Sequence, residues 1–190
     1  MFKKAIRDLE ESQTMVFVGQ AWTWLGYGHW LIGDYGTALE FGEKGLKIHT
    51  DLGLPLSRSV GHWFCGLAHC SLGNLEEAGV QAEQALKYSL ANNEKQHQGT
   101  SWRLKGMVLA KADPGQLETA VEHIRRANTI HEELGMQPWS ACGYFSLGDV
   151  YAESGRKDEA LMNLKKAESM FREMGMDDWL AKAQEALAKL

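Results

Sequence analysis

Proline is scarce in this chain, with three residues in 190. Proline breaks helices and marks loops, so a loop-rich fold is excluded. Cysteine is equally scarce. Cys65, Cys70 and Cys142 stand in apolar helical contexts and show no paired framework. A disulfide scaffold is excluded, and a reducing, cytoplasmic setting is expected. No apolar run reaches about 18 residues, so no membrane-spanning helix is expected. Lys3, Lys4 and Arg7 open the chain, but acidic residues follow where a secretory signal needs an apolar stretch. Blocks of like basic residues are missing and the formal charge is −5. The phosphate-neutralising footprint of a nucleic-acid binder is therefore absent. The patterns G-x4-G-K-[ST], G-x-S-x-G, H-E-x-x-H and paired C-x-x-C do not occur. These are the signatures of a phosphate loop, a serine nucleophile elbow and zinc sites. No catalytic residue, cofactor or metal is expected, and the chain does not read as an enzyme.

What is present is glycine, 20 residues of it, at regular places. Gly26, Gly66, Gly106 and Gly148 are 40, 40 and 42 residues apart. Ala38, Ala78 and Ala160 follow the first, second and fourth of them by 12 residues, and Ala120 follows the third by 14. The stretch "ADPGQ" holds the two extra residues. A second set, Gly53, Asn93, Gly135 and Gly175, keeps the same stride. Gly or Asn just past a helical run is the residue that enters the left-handed conformation and ends the helix. The first set lies inside helical runs, where glycine costs about 1 kcal/mol relative to alanine. Its recurrence predicts two helices in close approach, with the alanines on the facing helix.

The stride predicts first helices over about 14–32, 55–72, 94–112 and 137–154. Second helices are predicted over about 35–52, 75–92, 116–134 and 157–174. "FKKA" at 2–5 falls in phase with "LKKA" at 164–167, so residues 1–13 read as the second helix of a truncated unit. Four whole units follow at 14–53, 54–93, 94–135 and 136–175. Residues 176–190 read as a capping helix or the first helix of a further unit. The chain is thus expected to be one array, and either a complete small protein or a piece of a longer one.

Trp22, Leu25, Gly26 and His29 resemble the W-x2-L-G-x2-Y signature of the tetratricopeptide repeat family. Tyr144, Leu147, Gly148 and Tyr151 match it with Tyr for Trp. His62, Cys65, Gly66 and His69 form a degraded copy, and Trp102, Lys105, Gly106 and Leu109 a weaker one. Ala85, Ala127 and Ala167 hold the later small position, where the first unit has Gly45. The usual period of the family is 34 residues, and here it is about 40. The resemblance implies an all-α fold, a right-handed α-solenoid of antiparallel helix pairs. Units ending "ELGM" or "EMGM" and followed closely by Trp are also similar to the C-terminal arrays of large bacterial signalling ATPases and nucleotide cyclases. There the array would be the partner-sensing part of the chain.

The resemblance also implies that first helices line an inner, concave face. The residues expected on it are Tyr27, Trp30, Trp63, Leu67, Arg103, Met107, Phe145 and Asp149. That set is apolar and aromatic, as interaction surfaces tend to be. The expected partner is an apolar or amphipathic protein or peptide segment, or another domain of the same parent chain. A second copy of the chain is the alternative. His62, Cys65 and His69 share one helix face and have metal-ligand chemistry, but they occupy packing positions of the repeat. His131 and Glu132 are expected on a solvated helix end, and His29 in the core as a surrogate for Tyr.

Overall fold

A computed structural model describes residues 2–11, 14–54 and 57–190. Ten α-helices follow one another among them: α1 Phe2–Glu11, α2 Met15–Leu31, α3 Tyr35–Asp51, α4 Arg58–Leu72, α5 Leu75–Ala91, α6 Lys95–Ala112, α7 Leu117–Glu133, α8 Gln137–Glu153, α9 Lys157–Glu173 and α10 Asp177–Ala188. No strand occurs among the described residues. The helices match the predicted spans to within a residue or two. The exception is α4, expected from 55; residues 55 and 56 lie outside the described ones. The insertion in the third copy is a short 3₁₀ turn, Pro114–Gln116. Asp113 starts it, its Oδ1 accepting from the Gly115 amide at 3.0 Å.

The helix stops repeat as the glycine spacing predicts. Gly33, Gly53, Gly73, Gly135, Gly155 and Gly175 have φ between 66° and 84°, and Asn93 has φ 55°. At each stop the next amide donates back five residues. Leu54 donates to the His49 carbonyl, Glu94 to Ser89, Met136 to His131 and Met176 to Phe171, at 2.8 to 3.0 Å. Asp34, Asn74 and Arg156 do the same at the ends of α2, α4 and α8. This pattern satisfies the carbonyls that a helix end leaves bare.

Two compact units form, Met1–His97 and Gln98–Leu190. In the first, α2 packs on α1, α3 and α4, and α4 packs on α3 and α5. Trp22 lies against Phe41 at 5.0 Å, with the Lys44 ammonium over its ring at 3.7 Å. Val18 and Leu25 are buried among Leu9, Phe41 and Ile48. In the second unit, α8 packs on α7 and α9, and α9 on α10. Its core joins Val121, Ile124, Leu147, Val150, Tyr151 and Ala160.

The in-helix glycines mark close approaches. A Cβ at Gly26 would stand 2.8 Å from the Ala38 carbonyl oxygen, and one at Gly106 only 2.6 Å from that of Ala120. At Gly148 the nearest neighbour is Leu164 rather than the expected Ala160, which is itself buried. Consecutive antiparallel hairpins of this kind make the fold all-α, of the α-solenoid class.

Candidate functional site

Helix α2 carries no Asp, Glu, Lys or Arg in 17 residues. One stripe of it, through Val18 and Leu25, turns into the hairpin core. A flanking stripe runs Phe17, Gln20, Ala21, Trp24, Tyr27, Gly28 and Leu31 and lines an open groove of about 450 Å³. Steps of three and four place these side chains on one helix face. Phe17 is 54% exposed and Trp24 37%. Gly28 sits amid them, and a Cβ there would meet nothing within 4 Å.

Behind this face stands a cluster of rings. Tyr27 stacks on Trp30 at 5.7 Å with 8° between the planes. Tyr27 also meets Phe64 at 5.1 Å and Trp63 at 5.9 Å. Trp24 stands edge-on to Phe64 at 5.3 Å. Trp30 donates its indole N–H to the Ser71 hydroxyl at 2.9 Å. Offset and edge-on pairs of this kind add roughly 0.5–1.5 kcal/mol each beyond area burial. The cluster therefore holds Trp24 and Tyr27 in fixed poses.

The expected contact residues divide by burial. Tyr27 and Trp30 are half-buried and reach the surface. Trp63 is 1% exposed and Leu67 2%, so both are core and offer no surface to a partner. The reason is packing between hairpins: the Trp63 ring is covered by Tyr27 and Phe64. Arg103 is 4% exposed, its guanidinium 5.8 Å from the Trp139 ring and beside Cys142. It too is interior. Met107 is half-buried, packs on the core of the second unit and accepts from the Ser146 hydroxyl at 3.5 Å.

Phe145 and Asp149 come together. They line a cleft of about 350 Å³ with Ala152, Ala186, Lys182 and Lys189, bounded by α8, α9 and α10. Asp149 lies one helical turn from Phe145 and is half-buried. Among the described residues nothing hydrogen-bonds or ion-pairs with its carboxyl. Burial pushes its pKa up to about 7, and nearby Glu153 adds to the rise, while Lys111 and Lys189 oppose it. The other charges of the cleft are engaged. Lys111 pairs with Glu153 and Lys189 with Glu185, both at 2.7 Å. The Lys157 ammonium donates to the Leu190 carbonyl oxygen at 2.5 Å. The Lys182 ammonium stands 5.2 Å from the Trp179 ring, and burial lowers its pKa.

His62, Cys65 and His69 do not assemble a metal centre. The His62 Nδ1 faces the Gln81 Oε1 at 2.7 Å, and its ring stacks on Tyr88 at 5.4 Å. Cys65 is 1% exposed, and burial pushes its thiol up to about 12. Among the described residues no three His, Cys, Asp or Glu side chains converge as a metal site.

His29 is half-buried against Phe41 and bonds the Asp34 carboxylate at 3.0 Å. His131 is a correction: it is fully buried, not solvated. The sequence reading also overlooked His49, its counterpart in the first unit, which is equally buried. The signal was available in the facing glycines. A Cβ at Gly19 would crowd the His49 ring, and one at Gly99 the His131 ring.

The comparisons with known proteins fit this geometry. Residues 143–173 match the family model described as tetratricopeptide repeat. That span is the α8–α9 hairpin, the copy in which Tyr144, Leu147, Gly148 and Tyr151 carry the pattern. No curated protein sequence matches. Among solved structures, aspartyl phosphate phosphatase F from Bacillus subtilis is similar at 17% identity, with a TM-score of 0.70. The similarity covers 97% of this chain and 48% of that one. A Rap protein complexed with competence and sporulation factor is similar at 17% identity and TM-score 0.79, covering 99% of this chain and 55% of that one. The apo form of RapI is similar at 16% identity and TM-score 0.69, covering 96% and 66%. The chain therefore spans about half to two thirds of the length of these structures. They share its fold. No helix among the described residues is long and apolar enough to cross a membrane.

Proposed function

We propose that this chain binds an apolar or amphipathic protein segment on its first helices and acts by binding rather than by catalysis. The observation that carries the reading is the exposed, uncharged face of α2, where Phe17 and Trp24 stand out from a rigid bed of rings. Apolar patches rimmed by polar surface mark interaction sites, and aromatic anchors carry most interface energy. Trp24, Tyr27 and Trp30 would be the anchors, with Phe17 at one end. Buried Trp63 and Leu67 would back them. Phe145 and Asp149 would be the corresponding contacts of the second unit.

The same reading divides the chain into four repeats at 14–53, 54–93, 94–135 and 136–175, flanked by half-units at 1–13 and 176–190. It gives the array a part in cytoplasmic signalling, with the partner a separate protein segment or another domain. Three buried free thiols fit a reducing compartment. One solved structure with this fold is a complex with competence and sporulation factor, which favours a separate binding partner here.

The test is selection of binding peptides from a displayed random library, followed by calorimetry. Selected sequences should carry aromatic or aliphatic residues at helical spacing. Phe17→Ala with Trp24→Ala should weaken them at least tenfold while the circular dichroism melt stays unchanged. Equal affinity for the double variant would refute the site. A second reading, pairing of two copies through α2, is favoured by the lack of charge on that face, since self-contact would bury no unpaired ion. Light scattering over a dilution series decides it: a monomer at every concentration refutes it.

A further inference from the structure

We propose that the cleft bounded by α8, α9 and α10 is a binding site for an organic cation, an ammonium or guanidinium group on an aliphatic stem, held by Asp149 and Phe145. This deepens the reading of those two residues as contacts and rests on it. It does not depend on the α2 face, so the two can fail separately.

Four observations converge. First, Asp149 presents a carboxyl with no hydrogen-bond or ion-pair partner among the described residues, inside a cleft of about 350 Å³. Second, each lysine of the cleft is already engaged: Lys111 with Glu153, Lys189 with Glu185, Lys157 with the Leu190 carbonyl and Lys182 against Trp179. An anionic ligand would have to break the Lys189–Glu185 pair or settle on the partly desolvated Lys182, and would in either case meet Asp149. A cation meets a carboxyl that Lys111 and Lys189 oppose only from a distance, and it need break no ion pair. Third, the walls suit an aliphatic stem, because Phe145, Ala152, Ala186 and Leu190 line the same space. Fourth, Phe145 is braced edge-on by Trp179 at 5.7 Å. A braced ring beside a carboxylate adds cation–π attraction to the charge pair.

A half-buried carboxylate without a partner is costly to ionise, and perturbed groups of this kind cluster at functional sites. An incoming cation removes that cost. Because it binds only the ionised acid, its affinity depends on pH. With Asp149 titrating near 7, affinity should rise about tenfold from pH 6 to pH 8. The charged groups facing Asp149 are Lys111 from α6, Glu153 from α8, Lys157 from α9, and Lys182, Glu185 and Lys189 from α10. Of these, Lys182, which stands against Trp179, has its pKa held down by burial, and Glu185 has its own held down by the hydrogen bond from Lys189.

The experiment is a nuclear magnetic resonance titration of the labelled chain with n-butylguanidinium, with neutral n-butylurea as the control of equal shape. The Asp149 carboxyl carbon and the Phe145 ring signals are followed at pH 6 and pH 8. Saturable shifts are expected with the guanidinium, about tenfold tighter at pH 8, and much weaker ones with the urea. Asp149→Asn should abolish them, and Phe145→Leu should weaken them several-fold. A capped Gly-Arg-Gly peptide forms a further arm. Tighter binding than butylguanidinium assigns the cation to a peptide side chain, and weaker binding assigns it to a small free amine or guanidine. Equal shifts from butylurea, no shifts at millimolar ligand, or an Asp149 pKa near 4 in the free chain would each overturn the proposal.

Discussion

Replacing Asp149 by asparagine should stabilise the unliganded chain, and more so at high pH. The ordinary aspartate value is 3.8 and burial raises Asp149 to about 7. A raised acid binds its proton more tightly in the folded chain than in the unfolded one. The unfolded state therefore ionises first as pH rises from 3.8, and the folded state falls behind until about 7. The cost is absent below 3.8, grows across that window and is complete above 7. At about 1.4 kcal/mol per pH unit the ceiling is about 4 kcal/mol. Solvent reaches a half-buried carboxyl and screens it, so we expect roughly 1–2 kcal/mol in practice. Asparagine keeps the shape and removes the charge. Urea denaturation of both proteins, followed by circular dichroism at pH 8 and pH 5, reads the difference. The variant should lead by roughly 1–2 kcal/mol at pH 8 and by less than half of that at pH 5. A gap that does not change with pH, or a variant weaker at pH 8, would show that Asp149 is not held neutral by burial.

Four further outcomes follow from the packing. Trp63→Ala should cost about 3–5 kcal/mol in urea denaturation, as core truncations do, whereas Trp24→Ala should cost under about 1 kcal/mol; equal losses would mean that burial does not separate them. Gly106→Ala should destabilise by about 1–3 kcal/mol through overpacking against Ala120 and Ile124, while Gly28→Ala should stabilise by about 0.5–1 kcal/mol because its surroundings are open. His49 should titrate below the ordinary 6.5 because burial disfavours its charged form, and its neutral ring should carry the proton on Nε2, which faces the Val16 carbonyl oxygen at 3.2 Å; a titration midpoint at or above 6.5 would contradict this. The folded chain should resist Ellman's reagent at pH 8, since all three cysteines are buried and the thiols of Cys65 and Cys142 are pushed up; rapid release from three thiols without unfolding would be the contrary result.

The helix stops were legible in the sequence because each is decided within a few residues. A left-handed Gly or Asn and one backward bond suffice, so Gly53, Asn93, Gly135 and Gly175 could be read off by spacing. Close approach at Gly26 and Gly106 was legible for a related reason: only a neighbouring backbone explains a mid-helix glycine kept in phase. Exposure was not legible. Trp24 and Trp63 both lie on first helices in aromatic surroundings, and only the next hairpin decides that one is covered and the other open. His131 misled in the same way, since its charged neighbours sit on a turn of helix whose other side faces Gly99. The cleft at Asp149 escaped notice as a cavity because it needs α10 in place, and helical periodicity along α8 carries no word of α10.

Seven helix ends are closed by a bond spanning only five residues, and each hairpin joins helices adjacent in sequence. Sequence separations between contacting residues are therefore short. Chains with low contact order lose little loop entropy on the way to the folded state and fold quickly, often from several starting points. For this chain, folding can begin at any hairpin whose turn glycine is free to swing left-handed. A bulky β-branched residue at Gly135 or Gly155 should then slow refolding through that hairpin while leaving the others to start on time.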